Sequence, residues 1–351
     1  MKERISQKLK NQLAELGDEQ ISQLYQKAKE MRKRSSDRGD SIELWIERIL
    51  SKEQRLLDRA TDMVEAKISG VYPKEVGVLI NGVAHSAQVG TKSVIVGDSV
   101  TVGRVEDQLF VVSVQPRVTK LSRPDVQDPR KERLIVANVD VVMIVVSVVS
   151  PPLHPRLIDR YLIAVQNGGA SPVICVNKLD LLEDETELEV LEPFRQIGLP
   201  VFLCSTKTGR GIQELRASVA GKMVAFVGHS GVGKSSLINA FAPELGLKTG
   251  ETSAVYGRGT HTTTVSSLHQ LSDGMTLVDT PGIRSFGLWE VSQTEIERSF
   301  PEIAGVTCRF NDCRHESEPG CGIQAAIEAG TISPDRFQAY MRLLEEVGVA
   351  S

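Results

Sequence analysis

The sequence predicts an α/β chain: a doubly wound sheet of mainly parallel strands, preceded by a small β-barrel and followed by a helical region. Three observations predict this architecture. Short β-rich runs crowd residues 67–121, apolar strands alternate with helices over residues 122–287, and Cys and His residues cluster within residues 288–351. A charged helical extension, residues 1–66, precedes them. The 351 residues suffice for two or three domains of about 100–200 residues each.

Composition and charge restrict the class of protein. Hydrophobic residues make up 41% and charged residues 25% of the chain, which excludes wholesale disorder. The net charge of −4 excludes a basic surface overall, so any contact with nucleic acid must come from local patches. No secretion signal opens the chain, and the longest apolar run, residues 141–146, is too short to span a membrane. Five Cys, an odd number, do not fit a disulfide framework, so we expect a cytoplasmic protein without a membrane partner.

The extension, residues 1–66, predicts three amphipathic helices because apolar residues recur at spacings of three and four. The third helix is predicted to start near Asp40, with Glu43 in the position of a capping box. Residues 27–38 carry six basic and two acidic residues, which fits a solvated helix end more simply than a patch facing RNA. The three apolar stripes are Ile5, Leu9, Leu13 and Leu16; Ile21, Leu24, Tyr25, Ala28 and Met31; and Trp45, Ile49, Leu56, Ala60 and Val64.

Residues 67–121 predict a small barrel of the OB type, because short strands alternate with turn residues such as Asn81-Gly82. The predicted strands are Glu75–Ile80, Ala84–Val89, Asp98–Val105, Leu109–Val114 and Arg117–Leu121. Such barrels often bind RNA. A barrel used only for packing is an equal alternative, since the aromatic residues that could stack on bases are few, Tyr72 and Phe110.

Residues 122–287 predict the doubly wound sheet. The run Val139–Val149 is almost continuously apolar, as expected of a strand that is buried on both faces of a parallel sheet. Further strands are predicted at Pro172–Val176, Val201–Cys204, Met223–Val227 and Met275–Asp279, and helices at Arg156–Asn167, Leu188–Ile197, Ile212–Ala220 and Ser235–Phe241. Strand alternating with helix is typical of this fold.

The strongest motif follows the strand Met223–Val227 and matches GxxxxGK[ST], the phosphate loop. Its glycines let backbone N–H groups surround a phosphate, Lys234 places its charge on the β and γ oxygens, and the Ser235 hydroxyl can ligate Mg²⁺. The nucleotide-binding residues predicted here are Gly228, His229, Ser230, Gly231, Val232, Gly233, Lys234, Ser235 and Ser236.

A second motif predicts which base is bound. Asn177, Lys178, Leu179 and Asp180 match NKxD directly after a predicted strand, and the Asp180 carboxylate can accept from guanine N1–H and N2–H, which adenine does not offer. Ser205, Thr206 and Lys207, after the next strand, resemble the SAK element that backs the guanine. Both motifs predict GTP and GDP as ligands.

Two further pieces complete the set. Asp279 and Gly282 form DxxG, in which the carboxylate reaches Mg²⁺ and the Gly N–H reaches the γ-phosphate. The Thr-rich stretch 259–264, with His261 and Thr263, lies where switch I belongs, and Thr262, Thr263 or Thr264 would close on Mg²⁺. Ordinary Ras-like domains place the phosphate loop first and NKxD later, so the order here predicts a circular permutation.

The helical region carries Cys-x4-Cys-x-His-x5-Cys. Its members, Cys308, Cys313, His315 and Cys321, supply three thiolates and one imidazole within 14 residues. Four soft ligands at this spacing predict a closed, tetrahedral and structural Zn²⁺ site.

The permuted motifs, the preceding barrel and the trailing Cys/His cluster together resemble the small ribosomal subunit biogenesis GTPase family RsgA (YjeQ/EngC) over roughly residues 67–351. The resemblance implies a GTPase that binds the 30S ribosomal subunit late in maturation, is stimulated by it and leaves after hydrolysis. It also implies contact with 16S rRNA through the barrel and the zinc region. We expect a monomer. The first 66 residues lie outside the usual family core.

The residue that orients the attacking water is not obvious. Ras-like domains use a Gln after DxxG, but Ile283 stands here, so slow intrinsic turnover is expected. The resemblance suggests His261 as the replacement, since a neutral imidazole can accept from water. An exposed side chain or an RNA contact is an equal alternative for His261.

Two other functions stay open at the level of sequence. The protein could be a nucleic-acid-binding assembly module that uses GTP as a structural ligand with negligible turnover. It could also be an ATP-dependent enzyme, although the carboxylate of Asp180 argues against adenine.

Overall fold

The computed structural model describes residues 7–14, 18–34, 40–73, 75–125, 128, 131–247, 267–279, 291–310, 313, 315 and 318–348. The chain divides into two compact units: the first comprises residues 1–117 with 265–267, and the second comprises residues 118–264 with 268–351. Among the described residues, no helix is both long enough and apolar enough to cross a membrane.

The first unit starts with three helices, α1 (Gln7–Ala14), α2 (Asp18–Arg34) and α3 (Ile42–Leu57). Their predicted stripes meet in one apolar core, which consists of Leu9, Leu24, Ala28, Trp45, Ile46, Ile49 and Leu50. The prediction that α3 starts near Asp40 is confirmed, but the predicted capping box is wrong. Ser41 is the N-cap and accepts from the Leu44 N–H at 3.3 Å, so Glu43 is not the partner in a capping box.

A closed five-stranded barrel completes this unit, in the order β1-β2-β3-β5-β4. Its strands are β1 (Thr61–Val71), β2 (Val76–Ile80), β3 (Val83–Gln88), β4 (Ser99–Val105) and β5 (Gln108–Val114). Short parallel pairing of β3 with β5 closes it, while the other neighbours are antiparallel. The predicted barrel is confirmed in type and strand number.

The membership of the barrel differs from the prediction. Its first strand is β1, so Ala60 and Val64 do not continue α3, and β1 crosses the predicted boundary between residues 66 and 67. The predicted strand Arg117–Leu121 is not in the barrel. Residues there belong to β6 (Lys120–Pro124), which pairs with β7 (Glu132–Ala137) in a separate two-stranded ribbon. Residues 61–71 form the strand β1 because they pair with β2 and β4. Pairing partners that are distant in the chain leave no local signal in the sequence.

The second unit contains the doubly wound sheet, in the order β10-β9-β8-β11-β13-β12. Its strands are β8 (Val141–Ser147), β9 (Ser171–Asn177), β10 (Val201–Leu203), β11 (Met223–Val227), β12 (Ser267–Gln270) and β13 (Thr276–Asp279). The first five in that order pair in parallel. The chain winds one way from β8 and the other way from β11, so these neighbours form the topological switch point.

Among the described residues, four α-helices lie between the strands: α4 (Pro155–Asn167), α5 (Glu192–Gln196), α6 (Ile212–Ser218) and α7 (Lys234–Phe241). The predicted helix Leu188–Ile197 is α only in its second half, because a 3₁₀ turn occupies Glu185–Leu191. A buried core of Val, Leu, Ile and Phe residues, including Val145, Leu215 and Phe226, packs one face of the sheet against α6 and α7.

Four helices lie in the described part of residues 291–348: α8 (Gln293–Arg298), α9 (Pro301–Ala304), α10 (Gly322–Glu328) and α11 (Pro334–Glu346). Their apolar core contains Phe300, Ile323 and Leu343, and also Ile163 from α4. These helices therefore pack directly on the sheet unit. The predicted boundary at residue 287 stays a prediction.

Candidate nucleotide site and Cys/His cluster

The candidate site lies at the carboxyl ends of β8, β9, β10 and β11, the topological switch point at which doubly wound sheets bind their ligands. The NKxD segment follows β9, the SAK-like segment follows β10, and the phosphate loop follows β11. Segments that are far apart and permuted in the chain thus share one edge of the sheet.

The phosphate loop has the backbone that its glycines allow. Gly228, Gly231 and Gly233 have φ of 142°, 85° and 95°. A Cβ at Gly228 would lie 2.2 Å from the Val145 carbonyl oxygen, so a side chain there is excluded by backbone. The Lys234 ammonium donates to the carbonyls of Gly228 and His229 at 2.7 and 2.6 Å, at the start of α7. Backbone N–H groups at a helix N-terminus attract anions.

Asn177 joins three segments of the site. It is buried, and its Nδ2 donates to the Val232 carbonyl of the phosphate loop at 3.0 Å. Its Oδ1 accepts from the Thr206 N–H of the SAK-like segment at 3.2 Å. A Cβ at Gly233 would lie 2.2 Å from Asn177 Nδ2, so Gly233 is what allows this close approach. The NKxD, SAK-like and phosphate loops therefore lie against one another.

The Asp180 carboxylate is oriented by the SAK-like segment. Its Oδ1 accepts from the Ser205 hydroxyl at 2.6 Å, and Lys207 Nζ lies 3.7 Å from its Oδ2. The hydrogen bond from Ser205, with the charge of Lys207, lowers the pKa of Asp180 below its ordinary value. An ionised carboxylate with one oriented face can accept from two parallel N–H donors. Leu179 is buried beneath it.

Lys178 has a left-handed backbone, with φ of 63°. Its Nζ donates to the carbonyls of Ser150 at 2.6 Å and Val149 at 3.3 Å, both in the loop after β8. The lysine stem thus spans from β9 to the neighbouring loop, which the sequence does not indicate.

Asp279 is the last residue of β13, and β13 pairs in parallel with β11 through Ala225 and Val278. This register places the Asp279 backbone at the same edge of the sheet as the phosphate loop. Of the other predicted site residues, Ser235 and Ser236 lie in the first turn of α7, while His261, Thr263 and Gly282 lie outside the described residues.

The four predicted zinc ligands meet in space. The ligand atoms of Cys308, Cys313, His315 and Cys321 all lie within 4.8 Å of one another. Cys308 Sγ is 3.9 Å from Cys321 Sγ and 3.4 Å from His315 Nδ1. Tetrahedral Zn²⁺ with bonds of about 2.3 Å places its sulfur ligands about 3.8 Å apart. The cluster fits that ion in donor type and spacing.

A buried ion cluster lies between α4 and the C-terminal helices, and the sequence analysis missed it. Arg336, which is 3% exposed, donates to Asp159, to Glu302 at 2.7 Å and to the Ser299 carbonyl at 3.0 Å. Burial raises the pKa of Asp159 to about 7, against the charge of Arg336 and together with that of Glu302. Two carboxylates share one guanidinium here, so one of them is favoured in its neutral form. Only spatial contact between distant helices reveals this cluster.

A groove of about 310 Å³ opens on the barrel between β3 and the β4–β5 turn. Polar side chains line it, with both signs of charge: Glu75, His85, Arg104, Asp107 and Gln108. The strands of OB-type barrels bind oligonucleotides on the β2–β3 face and at the β1–β2 and β4–β5 turns, and this groove occupies that position.

A permuted order of nucleotide-binding segments on a doubly wound sheet, behind a five-stranded barrel, defines the class of circularly permuted P-loop GTPases. The chain belongs to the RsgA GTPase family, whose family model matches residues 114–289. It is 44% identical over 263 residues to the small ribosomal subunit biogenesis GTPase RsgA of Histophilus somni, covering 72% of this chain and 74% of that one. The protein of that name from Pseudomonas putida is 42% identical over 239 residues, covering 67% and 69%.

Two solved structures share the fold. YjeQ from Thermotoga maritima matches with a TM-score of 0.65 and 28% identity, covering 81% of this chain and 98% of that one. YloQ, described as a circularly permuted GTPase, matches with a TM-score of 0.62 and 27% identity, covering 82% and 95%. The predicted fold and the predicted GTP hydrolase activity are confirmed, which sets aside the assembly module without turnover and the ATP-dependent enzyme.

Proposed function

We propose that this GTPase acts in maturation of the small ribosomal subunit, with the 30S subunit as its partner and the cytoplasm as its location. The names of the relatives from Histophilus somni and Pseudomonas putida support this role. The observation that carries the nucleotide-binding part is Asn177, whose amide contacts the phosphate loop and the SAK-like segment together. One GTP molecule bound at this site reaches all three segments.

In this proposal Asp180 reads guanine, with its carboxylate held by Ser205 and Lys207. Asn177 holds the loops together, and the stem of Lys178 covers one face of the base. Residues 228–236 surround the phosphates with backbone N–H groups. The ammonium group of Lys234 contacts the β- and γ-phosphate oxygens when the nucleotide is bound.

Mg²⁺ would be held by the Ser235 hydroxyl and the Asp279 carboxylate, with Thr262, Thr263 or Thr264 of switch I as a further ligand. Hydroxyl and carboxylate oxygens are ligands that this ion prefers, and Ser235 follows the phosphate loop directly. When bound, the ion neutralises charge on the phosphate oxygens. His261 orients a water that attacks the γ-phosphorus in line. The bond from this phosphorus to the β–γ bridging oxygen breaks, GDP leaves, and phosphate and one proton are released.

The Cys/His cluster would hold one structural Zn²⁺. Three thiolates and one imidazole close the coordination sphere, so the ion stabilises the C-terminal helices and takes no part in hydrolysis.

Contact with 16S rRNA is assigned to the groove of the barrel. Arg104 and His85 can meet phosphates, while Glu75 and Asp107 can accept from base amino groups, as suits an unpaired RNA strand. The protein acts as a monomer, and docking on the 30S subunit stimulates hydrolysis.

Phosphate release with and without 30S subunits tests the function. We expect slow release from the protein alone and a large stimulation by 30S but not by 50S subunits. Sedimentation with GTP, GDP and a non-hydrolysable analogue should show binding that depends on the nucleotide. Equal stimulation by both subunits, or binding indifferent to the nucleotide, would contradict the proposal.

His261→Ala in the same assay tests the catalytic assignment. Single-turnover hydrolysis with 30S subunits should fall by about 10²-fold or more, as for loss of a positioned general base, with GTP affinity preserved. Unchanged hydrolysis would remove His261 from the mechanism.

A further inference from the structure

Residues 148–167, which we call the bridging segment, comprise the loop after β8 and the helix α4. This segment contacts the base-reading loop, the phosphate loop and the C-terminal helices. None of the nucleotide motifs includes it, and the sequence analysis gave it no role.

Its first residues contact the base-reading loop. The Lys178 ammonium donates to the Val149 and Ser150 carbonyls, and the Val148 N–H donates to the Asn177 carbonyl at 3.3 Å. The position of the bridging segment therefore bears on how Asn177 and Lys178 are held.

The middle of α4 contacts the phosphate loop. Tyr161 is 6% exposed; burial raises the pKa of its hydroxyl, and the nearby backbone of Gly228, the first residue of that loop, partly offsets this rise. The loop before α4 also lies close, since a Cβ on Gly231 would be 3.5 Å from the Ser150 carbonyl oxygen. Tyr161 thus supports the phosphate loop from the side of α4.

The opposite side of α4 contacts the C-terminal helices. Asp159 pairs with the buried Arg336 of α11, and Ser299 donates to the Gln166 side chain at 2.5 Å. Ile163 is a member of the core of those helices. The guanidinium of Arg336 also lies 4.0 Å from the centre of the Phe300 ring, so its position is closely determined.

Helix geometry links the two sides. Successive residues turn by about 100°, so Asp159 and Tyr161 project about 200° apart around the axis of α4. After Pro155 at its first position, α4 contains no Pro, Gly or Ser, so the usual sequence causes of a kink are absent between Asp159 and Tyr161. A shift of the C-terminal helices that carries Asp159 with it therefore also moves Tyr161 relative to the Gly228 backbone beside it.

We propose that the bridging segment couples the C-terminal helices, which flank the Cys/His cluster, to the nucleotide site, with Tyr161 as a positioning residue for the phosphate loop. This inference rests on the proposed nucleotide and zinc sites. Coupling between two sites is reciprocal, so nucleotide must tighten the packing of the C-terminal helices as much as that packing favours nucleotide. Ligand binding at residues 228–236 is therefore expected to stabilise the packing of α11.

Amide hydrogen exchange on the full, zinc-loaded chain tests the coupling. In the wild type, saturating GDP should slow exchange in residues 228–241, in α4 and in α11. In Tyr161→Phe, which removes one hydroxyl, GDP should still protect residues 228–241, but the protection of α11 should be lost. Tyr72→Phe is the matched control, because it removes an exposed hydroxyl in the barrel and should behave as wild type.

Zinc release provides a second readout that does not depend on exchange. GDP should slow transfer of zinc to a chromogenic chelator by about 5-fold or more in the wild type, the lower end of typical coupling between sites. The ratio of the zinc-transfer rates without and with GDP should fall towards one in Tyr161→Phe. It should fall likewise in Asp159→Asn, a substitution that weakens the contact with Arg336 but keeps the shape of the side chain.

The outcomes separate this inference from the proposed function. If GDP protects residues 228–241 but leaves α11 and zinc release unchanged in the wild type, the coupling is wrong and the nucleotide site stands. If Tyr161→Phe retains the full effect on α11, Tyr161 is not the positioning residue. If GDP protects nothing, the nucleotide site itself is wrong.

Discussion

The nucleotide site and the Cys/His cluster are built in opposite ways. The cluster collects its four candidate metal ligands from 14 consecutive residues, Cys308 to Cys321. The nucleotide site collects segments that follow β9, β10 and β11, and its key contacts join Asn177 to Thr206 and Val232. A local site depends on the chemistry of its ligands, whereas an assembled site depends also on the close backbone approach that glycines permit.

The largest effect is expected from breaking the local site. Cys321→Ser removes a buried thiolate ligand, so zinc content should fall from one per chain to none and the C-terminal helices should lose more than about 4 kcal/mol of stability. Metal analysis and thermal unfolding measure both. Cys175→Ala is the control, because that buried cysteine lies in β9 and its loss should leave the zinc content unchanged. Full zinc content in Cys321→Ser would contradict the ligand set.

The assembled site should break at a position that carries no functional group. Gly233→Ala places a Cβ 2.2 Å from Asn177 Nδ2 and strains a backbone with φ of 95°. Strain and the lost buried hydrogen bond together cost about 2–4 kcal/mol, so affinity for GDP should fall by about 100-fold or more. Titration with a fluorescent GDP analogue measures this.

Gly198→Ala separates strain from collision. Its φ is 82°, but an added Cβ meets nothing within 4 Å. It should therefore cost some stability and leave GDP affinity unchanged. Equal loss of affinity in both variants would mean that the approach of Asn177 to the phosphate loop is unimportant.

Asp180→Asn changes the specificity of the assembled site without disturbing its packing. Loss of two charge-assisted hydrogen bonds should weaken GTP binding by about 10–100-fold. The affinity for xanthosine triphosphate should rise, because the C2 carbonyl of xanthine can accept a hydrogen bond from the amide introduced at position 180. Competition binding measures both, with Asp184→Asn, in the exposed turn that follows, as the control. Unchanged GTP affinity would remove Asp180 from base recognition.

The smallest effect concerns the buried pair of Asp159 and Arg336, which joins α4, beside the nucleotide site, to the C-terminal helices. Because burial raises the pKa of Asp159 to about 7, the folded protein holds this proton more tightly than the unfolded chain. The carboxyl therefore stabilises the fold fully below about pH 4, and this contribution is lost as the pH rises through about 7. Relative to Asp159→Asn, the stability of the wild type should fall by at most about 1.4 kcal/mol per pH unit in that window.

Urea unfolding from about pH 5 to about pH 8 checks this dependence. Glu346→Gln is the control. Glu346 of α11 pairs with Arg160, which lies next to Asp159 on α4, but this pair is half exposed, so the substitution should leave the pH dependence of stability unchanged. Parallel pH profiles for the wild type and Asp159→Asn would show that this carboxyl is already ionised when folded.

Residues with local signals were predicted well, and those with distant partners were not. The strand Met223–Val227 is confirmed residue for residue, because a short apolar run ahead of a Gly-rich loop specifies itself. The strand β1 was assigned in part to a helix, since Asp62, Glu65 and Lys67 interrupt its apolar pattern. Its place in the barrel comes from pairing with β2 and β4.

The amino-acid sequence alone determined the α/β class, the permuted order of the nucleotide motifs and the four candidate zinc ligands, because spacing and turn chemistry act over a few residues. Tertiary structure alone decided that β1 is a strand of the barrel, that Gly233 lets Asn177 approach the phosphate loop, and that Asp159 and Tyr161 place α4 next to two different regions. Those features depend on which distant surfaces become neighbours, and burial of apolar area, which selects the neighbours, is a property of the whole chain.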